Sequence, residues 1–369
     1  MSLAPGQVRD AIVGYLEALG ADASIAEIYE AVVRQLGEVP SSSVRSYLNL
    51  NASEIFERTD IGRYRLRAGL HELYLKEPPQ YLDFECALST LVQADCFEWL
   101  ARQEASSIQA VVTDPPYGLV EYSPKEQAKL RKRSGGVWRI PPSFDGHKRS
   151  PLPRFTVLTE QDRRELHSFF KRLAVQLVRV LVPGANVVVA SNPLLCHVVS
   201  SAMTEGGLEL RGSIVRLIMT MRGGDRPKNA HKEFPGVSVM PRSMWEPWVV
   251  LRKPLEGRVQ DNLRKWKTGG FRRLSATQPF PDVIKSQRAT SLERKMAPHP
   301  SLKPQAFLRQ IIRGVLPLGQ GTILDPFAGS GSSLAAANAL SYKSIGLEQD
   351  KQYFEMASNA IPKLSSVAG

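Results

Sequence analysis

Apolar residues recur with a helical period at the start of this chain and as short strand-like runs over most of the remainder. Val8, Ile12, Leu16 and Leu19 share one face of a helix over residues 6–19, and Ile25, Ile28, Val32 and Leu36 share one face of a second that follows Ala23-Ser24. The hydroxyls of Ser41-Ser42-Ser43 offer caps for a third helix, carried through Val44 to Asn49. Residues 55–58 and 63–67 flank a turn at Asp60-Ile61-Gly62, which predicts a hairpin. Glu77-Pro78-Pro79-Gln80 then reads as a short, stiff linker.

Beyond the linker, β-branched runs alternate with helical patterns. Strands are expected at 90–94, 108–112, 186–190 and 213–219, with helices at 96–100, 160–181 and 195–204. Residues 243–251 look like a returning antiparallel strand. From Gly321 a strand runs to Leu324, an alanine-rich helix covers 333–340, and another strand covers 344–347. Such alternation predicts an α/β, doubly wound, Rossmann-like sheet behind a small helical domain. The expected boundaries are 1–75 for the small domain, 76–84 for the linker and 85–369 for the large one. Three intervals, near 119–159, 222–236 and 255–298, lack clear periodicity and read as loops. Loops this long inside a compact domain are usually either functional or disordered.

Charge separates the two domains. The 369 residues carry a formal net charge of +12 and a pI of about 9.7, which points to an anionic partner. Residues 1–80 hold 8 basic and 11 acidic side chains, a net of −3, so the remainder holds 40 and 25, a net of +15. Much of that excess falls in the loops, including Lys125, Arg131 and Arg149 in the first, Arg222, Arg226 and Lys228 in the second, and Arg264, Lys265 and Arg272 in the third. Trp266 among cations suits nucleic acid, although a tryptophan anchoring a loop to the core is the commoner arrangement. Cys86, Cys96 and Cys196 are too few and too scattered for a disulfide framework or a zinc site, which fits a reducing cytoplasm. Neither a membrane span nor a signal peptide is expected.

Two stretches carry the chemistry. The first is Thr113-Asp114-Pro115-Pro116-Tyr117-Gly118, which follows the run 108–112. Tandem prolines fix φ and carry no N–H, so the chain leaves the strand in a stiff, extended turn. The Asp114 carboxylate, the neighbouring carbonyls and the Tyr117 ring then project from a strand's carboxyl end, where open α/β sheets bind ligands. Two acceptors and an aromatic plate suit a flat heterocycle with an amino group. The second is Asp325-Pro326-Phe327-Ala328-Gly329-Ser330-Gly331-Ser332, where a strand enters a glycine turn and then a helix. Glycines let backbone approach a ligand closely, and a helix N-terminus favours polar or anionic groups. Leu334 stands where the dinucleotide fingerprint needs its third glycine, which disfavours NAD or FAD. Glu348, at the end of the next strand, is placed to accept hydrogen bonds from ribose hydroxyls.

With these residues and His299-Pro300-Ser301-Leu302-Lys303-Pro304, the chain resembles the amino-group DNA methyltransferases. The catalytic stretch precedes the cofactor glycines, which looks like that family's permuted β arrangement, and the resemblance covers roughly residues 85–361. It implies S-adenosyl-L-methionine as cofactor and double-stranded DNA as substrate. It implies Asp114, Pro115, Pro116 and Tyr117 as catalytic residues. Asp95 would lie beside the cofactor's adenine, where a helix-capping role is nearly as strong a reading. Asp325, Phe327, Ala328, Gly329, Gly331, Ser332, Glu348 and Lys303 would complete the cofactor site, with no metal. Asp before Pro-Pro-Tyr is more typical of the family's adenine-N6 enzymes. N4-cytosine is the alternative, followed by an RNA amine methylase and a catalytically dead DNA-binding regulator. A homodimer and a cognate restriction enzyme are left open as partners. The N-terminal pattern resembles a winged helix-turn-helix, with Ser42, Ser43, Arg45, Ser46 and Asn49 facing a major groove and Arg63 and Arg65 on phosphates. The local charge of −3 fits a protein-binding winged helix instead.

Overall fold

The computed structural model describes residues 7–50, 55–66, 81–116, 143–144, 147–148, 159–220, 227, 229–239, 241, 243–299 and 301–367. The chain divides into two units, Met1–Tyr81 and Leu82–Gly369.

In the first unit, α1 (Gln7–Leu19), β1 (Ala23–Ser24), α2 (Ile25–Leu36), α3 (Ser41–Leu50), β2 (Phe56–Asp60) and β3 (Arg63–Leu66) enclose Ile12, Leu16, Ile28, Val32, Val44, Leu48 and Phe56. The three helices and the hairpin lie where the periodicity places them. Leu19, expected on the buried face, is exposed because α1 ends there and Gly20 turns the chain at positive φ. β1 is too short to show in a sequence pattern, and it pairs with β3 to give the antiparallel order β1-β3-β2. Ser24 and Glu27 form a reciprocal capping box that starts α2.

The second unit contains β4 (Leu82–Cys86), β5 (Ser89–Gln93), α4 (Cys96–Arg102), β6 (Ile108–Thr113), β7 (Ser143–Phe144), β8 (His147–Lys148), α5 (Glu160–Val180), β9 (Leu181–Ala190), α6 (Cys196–Glu205), β10 (Glu209–Thr220) and β11 (Ser243–Arg252). It continues with α7 (Val259–Trp266), β12 (Val283–Lys285), α8 (Ser291–Met296), α9 (Gln305–Val315), β13 (Thr322–Asp325), α10 (Ser332–Ala339), β14 (Lys343–Glu348) and α11 (Lys351–Ser365). One sheet runs β12-β10-β11-β9-β6-β13-β14-β5-β4, with β4 and β11 opposed to the rest. Ala110, Val112, Val188 and Ala190 alternate to one face, where they meet Phe307, Leu308, Ile311 and Ile312 of α9.

This order positions the site. β13 and β14, late in the chain, insert between β5 and β6, so Leu324 pairs with Val111 and the carboxyl ends of β6 and β13 lie side by side. A chain crossover at adjacent parallel strand ends is where such sheets open a ligand crevice.

Two expectations need correction. The sheet begins at Leu82, inside the expected linker 76–84 and ahead of the first expected strand at 90–94, because the half-exposed β4 pairs along β5 without an apolar run to announce it. The interval 255–298 is not a loop throughout, since it holds α7, β12 and α8. α7 escapes a count of apolar residues because its buried anchor is Asn262, whose amide donates to the Pro183 and Thr268 carbonyls at 2.9 and 2.8 Å. Trp266 is held to that interval, donating its indole N–H to Glu256 at 2.7 Å. The intervals 119–159 and 222–236 fall largely outside the described residues; in the first, Ser143–Phe144 pairs with His147–Lys148.

Candidate active site and cofactor cleft

The glycine turn after β13 is shaped by contacts on both sides. Gly329 and Gly331 have φ of 51° and 72°, the left-handed region that favours glycine. A Cβ on Gly331 would come within 2.5 Å of Ile361 on α11. Asp325, almost fully buried, accepts from the Thr113 hydroxyl at 2.6 Å, the Phe327 N–H at 3.1 Å and the Ser333 hydroxyl. Burial pushes its pKa up to about 6 against those bonds. This carboxylate therefore ties the end of β6 to the turn and to the first turn of α10. Glu348 accepts the Gly329 N–H at 2.9 Å and the Asp350 N–H at 2.8 Å, and burial raises its pKa despite them. Asp95 caps α4 through the Phe97 and Glu98 N–H groups at 2.9 and 3.0 Å.

These residues border a cleft of about 770 Å³. Asp95, Asp114, Pro115, Pro116, Lys303, Asp325, Phe327, Ala328, Gly329, Ser332 and Glu348 all line it. Gly331 does not: it is the N-cap of α10 and turns towards Ile361 and Ala357. Tyr117 lies outside the described residues. One wall is aromatic, with the Phe97 ring edge-on to Phe169 at 5.3 Å and Phe169 tilted against Phe327 at 5.9 Å. Phe169 comes from α5, a helix whose pattern gives no sign of a site role.

At the β6 end, Pro115 is buried and the Asp114 side chain is 19% exposed. The Lys303 ammonium is 2.5 Å from Asp114 Oδ2 and 3.3 Å from Glu246 Oε1, so its charge is placed between these two carboxylates. Burial opposes that charge, but the two carboxylates outweigh it and hold the Lys303 pKa above the ordinary lysine value. Arg216 in turn sits 2.8 Å from Glu246 Oε2. The sequence reading gave neither Arg216 nor Glu246 a site role. The signal was a charged residue inside each of two apolar strands, and it acquires meaning only once pairing sets them opposite each other. His299 was part of a quoted motif without a role. Its Nδ1 accepts the Ser301 N–H at 3.2 Å and its Nε2 faces Gly329. Burial, helped by the Lys303 charge, lowers its pKa to about 4, so the ring is neutral near pH 7.

Acidic groups at two strand ends, an apolar wall and a carboxylate held by an ammonium suit a nucleoside-bearing cosubstrate next to a reacting amine. Among the described residues, no group of three His, Cys, Asp or Glu could hold a metal, and no helix is long and apolar enough to cross a membrane. This sheet and cleft fit an S-adenosylmethionine-dependent methyltransferase. The chain belongs to the N6/N4 DNA methylase family, whose model matches residues 108–359. It is similar to the type II methyltransferase M.HindIII of Haemophilus influenzae, 23% identical over 301 residues that cover 74% of this chain and 95% of that one. The type II methyltransferase M2.DpnII of Streptococcus pneumoniae is 22% identical over 271 residues, covering 72% and 87%. Among solved structures, the cytosine-N4-specific PvuII DNA methyltransferase superposes with a TM-score of 0.48 at 14% identity, covering 75% of this chain and 91% of that one. The protein is thus a DNA amino-methyltransferase that uses S-adenosylmethionine.

Proposed function

We propose that this enzyme methylates N6 of adenine in duplex DNA. The observation that carries the reading is the position of Asp114. It stands at the cleft, on the strand end next to the glycine turn, and is ion-paired to Lys303. An exocyclic amine is a poor nucleophile because its lone pair is delocalised into the ring. With Asp114 and the Pro115 carbonyl accepting its two N–H bonds, the nitrogen turns towards tetrahedral and its lone pair becomes available. S-adenosylmethionine supplies a methyl group made electrophilic by the sulfonium. Positioning and electrostatics provide most of the acceleration, and no covalent enzyme intermediate is needed. Glu348 and Asp95 would hold the cosubstrate's hydroxyls and base at the acidic side of the cleft. The target base must leave the duplex, which costs a few kcal/mol, and stacking on Tyr117 would return part of that.

The preference for adenine rests on the resemblance, in which Asp before Pro-Pro-Tyr accompanies N6 enzymes. The type II relatives support a place in restriction–modification, with a cognate endonuclease and a homodimer as further parts of the proposal. For the N-terminal unit we keep the winged-helix reading and narrow its DNA contact to α3. Arg63 is paired with Asp22 at 2.7 Å and Arg65 with Glu57 at 2.9 Å, so neither is held in reserve for phosphate, whereas Ser42, Arg45 and Ser46 are exposed.

Nucleoside mass spectrometry of duplex DNA incubated with the protein and labelled cofactor tests the proposal. Labelled N6-methyladenine is expected. N4-methylcytosine as the sole labelled product would reassign the base, and label in RNA alone would reassign the substrate. Asp114→Ala should abolish transfer while calorimetry finds cofactor binding nearly intact; lost affinity in a folded variant would move Asp114 to the cofactor side.

A further inference from the structure

Behind Asp114 stands a line of charges of alternating sign, Lys303, Glu246 and Arg216, reaching from the cleft into the sheet. We propose that Glu246, backed by Arg216, is a positioning residue for methyl transfer: it fixes the Lys303 ammonium, which in turn fixes the carboxylate of Asp114 for the target amine. The proposal rests on the reading of Asp114 given above.

The far end of the line has little freedom. Arg216 of β10 and Glu246 of β11 are direct partners in the antiparallel register, so the backbone sets their side chains together. Arg216 spends its guanidinium on Glu246 at 2.8 Å, on the Ser286 hydroxyl at 3.0 Å and on the Gln287 carbonyl at 2.9 Å, and its plane lies over Phe307. Glu246 receives the Trp248 indole N–H at 3.3 Å on the oxygen that meets Arg216, and turns its other oxygen to Lys303. Lys303 comes from the loop that precedes α9, and its ammonium is thereby held between two carboxylates. A lone ammonium against a lone carboxylate can slide with it. One anchored from behind presents a set position.

Stability alone gives a weak reason for this arrangement. Buried ion pairs are often no more stabilising than apolar residues of the same volume, because each charge must be stripped of water. Arg216 and Glu246 interrupt strands whose neighbours, Ile214, Trp248 and Val250, are buried and apolar, yet the line ends on Asp114, a carboxylate that borders the cleft. A catalytic group displaced by about 1 Å can lose on the order of a hundredfold in rate, which is the scale on which such an anchor acts.

The test uses the full chain, with single-turnover methyl transfer at saturating DNA and labelled cofactor, cofactor affinity by calorimetry, and thermal midpoints. Glu246→Gln keeps the shape and removes the charge. It should slow the single-turnover rate about tenfold to a hundredfold while the cofactor dissociation constant and the Michaelis constant for DNA stay within about twofold. Glu246→Asp, which restores the charge, should recover part of the rate, a recovery that a merely structural role would not predict. A folded Glu246→Gln enzyme with the wild-type rate overturns the inference. If Glu246→Gln does not fold, Arg216→Lys decides: it keeps the charge but loses the fork, and a wild-type rate there overturns the inference equally. Asp114→Asn in the same assay separates the two levels. A fully active Asp114→Asn enzyme would overturn the reading of Asp114 itself, whereas an inactive one beside a fully active Glu246→Gln enzyme would remove the positioning role alone.

Discussion

Asp325 and His299 lie on either side of the glycine turn, and their protonation should tilt stability in opposite directions. Burial raises Asp325 to about 6, so the folded protein keeps a proton that the unfolded chain releases; this contribution is present below about pH 4 and is lost as pH rises through about 6. Burial lowers His299 to about 4, so the unfolded chain takes up a proton first; this contribution is present above about pH 6.5 and is lost as pH falls towards 4. At 1.36 kcal/mol per pH unit each is of order 3 kcal/mol at its limit, and between about pH 4 and 6 the two oppose each other. Relative to wild type, Asp325→Asn should lose stability more steeply on acidification from pH 6.5 to 4.5, and His299→Asn should gain. Urea midpoints at the two pH values measure this, and identical pH dependences in all three proteins would withdraw both assignments. Glu348 makes a different kind of prediction. Glu348→Ala removes the acceptor for the Gly329 N–H and for the proposed ribose hydroxyls, so the Michaelis constant for the cofactor should rise more than the maximal rate falls. Hydrogen bonds to a charged group are worth about 1.5–3 kcal/mol, or roughly tenfold to a hundredfold in affinity. An unchanged Michaelis constant would leave Glu348 as the brace of the turn alone.

Between strand and helix, close approach is achieved by a different glycine from the one the dinucleotide fingerprint uses. Leu334 occupies that fingerprint position on α10 and is fully buried, while Gly346 on β14 makes the room: a Cβ there would meet Leu334 at 2.5 Å. The apparent gap in the motif is therefore filled from the facing strand, a compensation visible only once β13 and β14 are paired. Gly331 is the second tight point. Gly331→Ala meets both a positive φ and Ile361, and should cost about 1–3 kcal/mol, read as a lower unfolding midpoint with weaker cofactor binding. A neutral substitution would show that the start of α10 yields readily. Elements announced by long apolar runs or strong turn chemistry were legible: β6, β9, β13, β14, the glycine turn and the helices of the N-terminal unit. α7 was not, because a buried asparagine replaces the apolar stripe, and neither was the Arg216–Glu246 pair, because charge inside a strand acquires a meaning only from its partner in register. The Asp325–Thr113 and Lys303–Asp114 contacts were illegible for a similar reason, since each joins segments about two hundred residues apart.

At the scale of the whole chain, the Asp114 stretch and the glycine turn, proposed as the catalytic and cofactor sites, are distant in sequence and adjacent in the sheet, and both belong to the unit Leu82–Gly369. That unit also carries the net positive charge, since residues 1–80 sum to −3. Removing residues 1–75 should accordingly leave a folded enzyme: β4 begins at Leu82, and the N-terminal unit has its own core in Ile12, Ile28, Val32, Leu48 and Phe56. The turnover number at saturating DNA should change by less than about twofold, because every group placed at the cleft remains. Affinity for DNA should fall moderately. Each lost phosphate contact lowers the slope of log affinity against log salt by about 0.9, and with Arg63 and Arg65 already paired to carboxylates the change should correspond to about one contact, with Arg45 the cation left outward on α3. Titrations at two salt concentrations, with single-turnover rates, read both quantities. A slope change worth several contacts would mean that the arginine pairs open on DNA. Unchanged affinity and slope would make the N-terminal unit a protein-docking module, which its negative charge already favours, and would leave sequence reading to the basic segments of the catalytic unit.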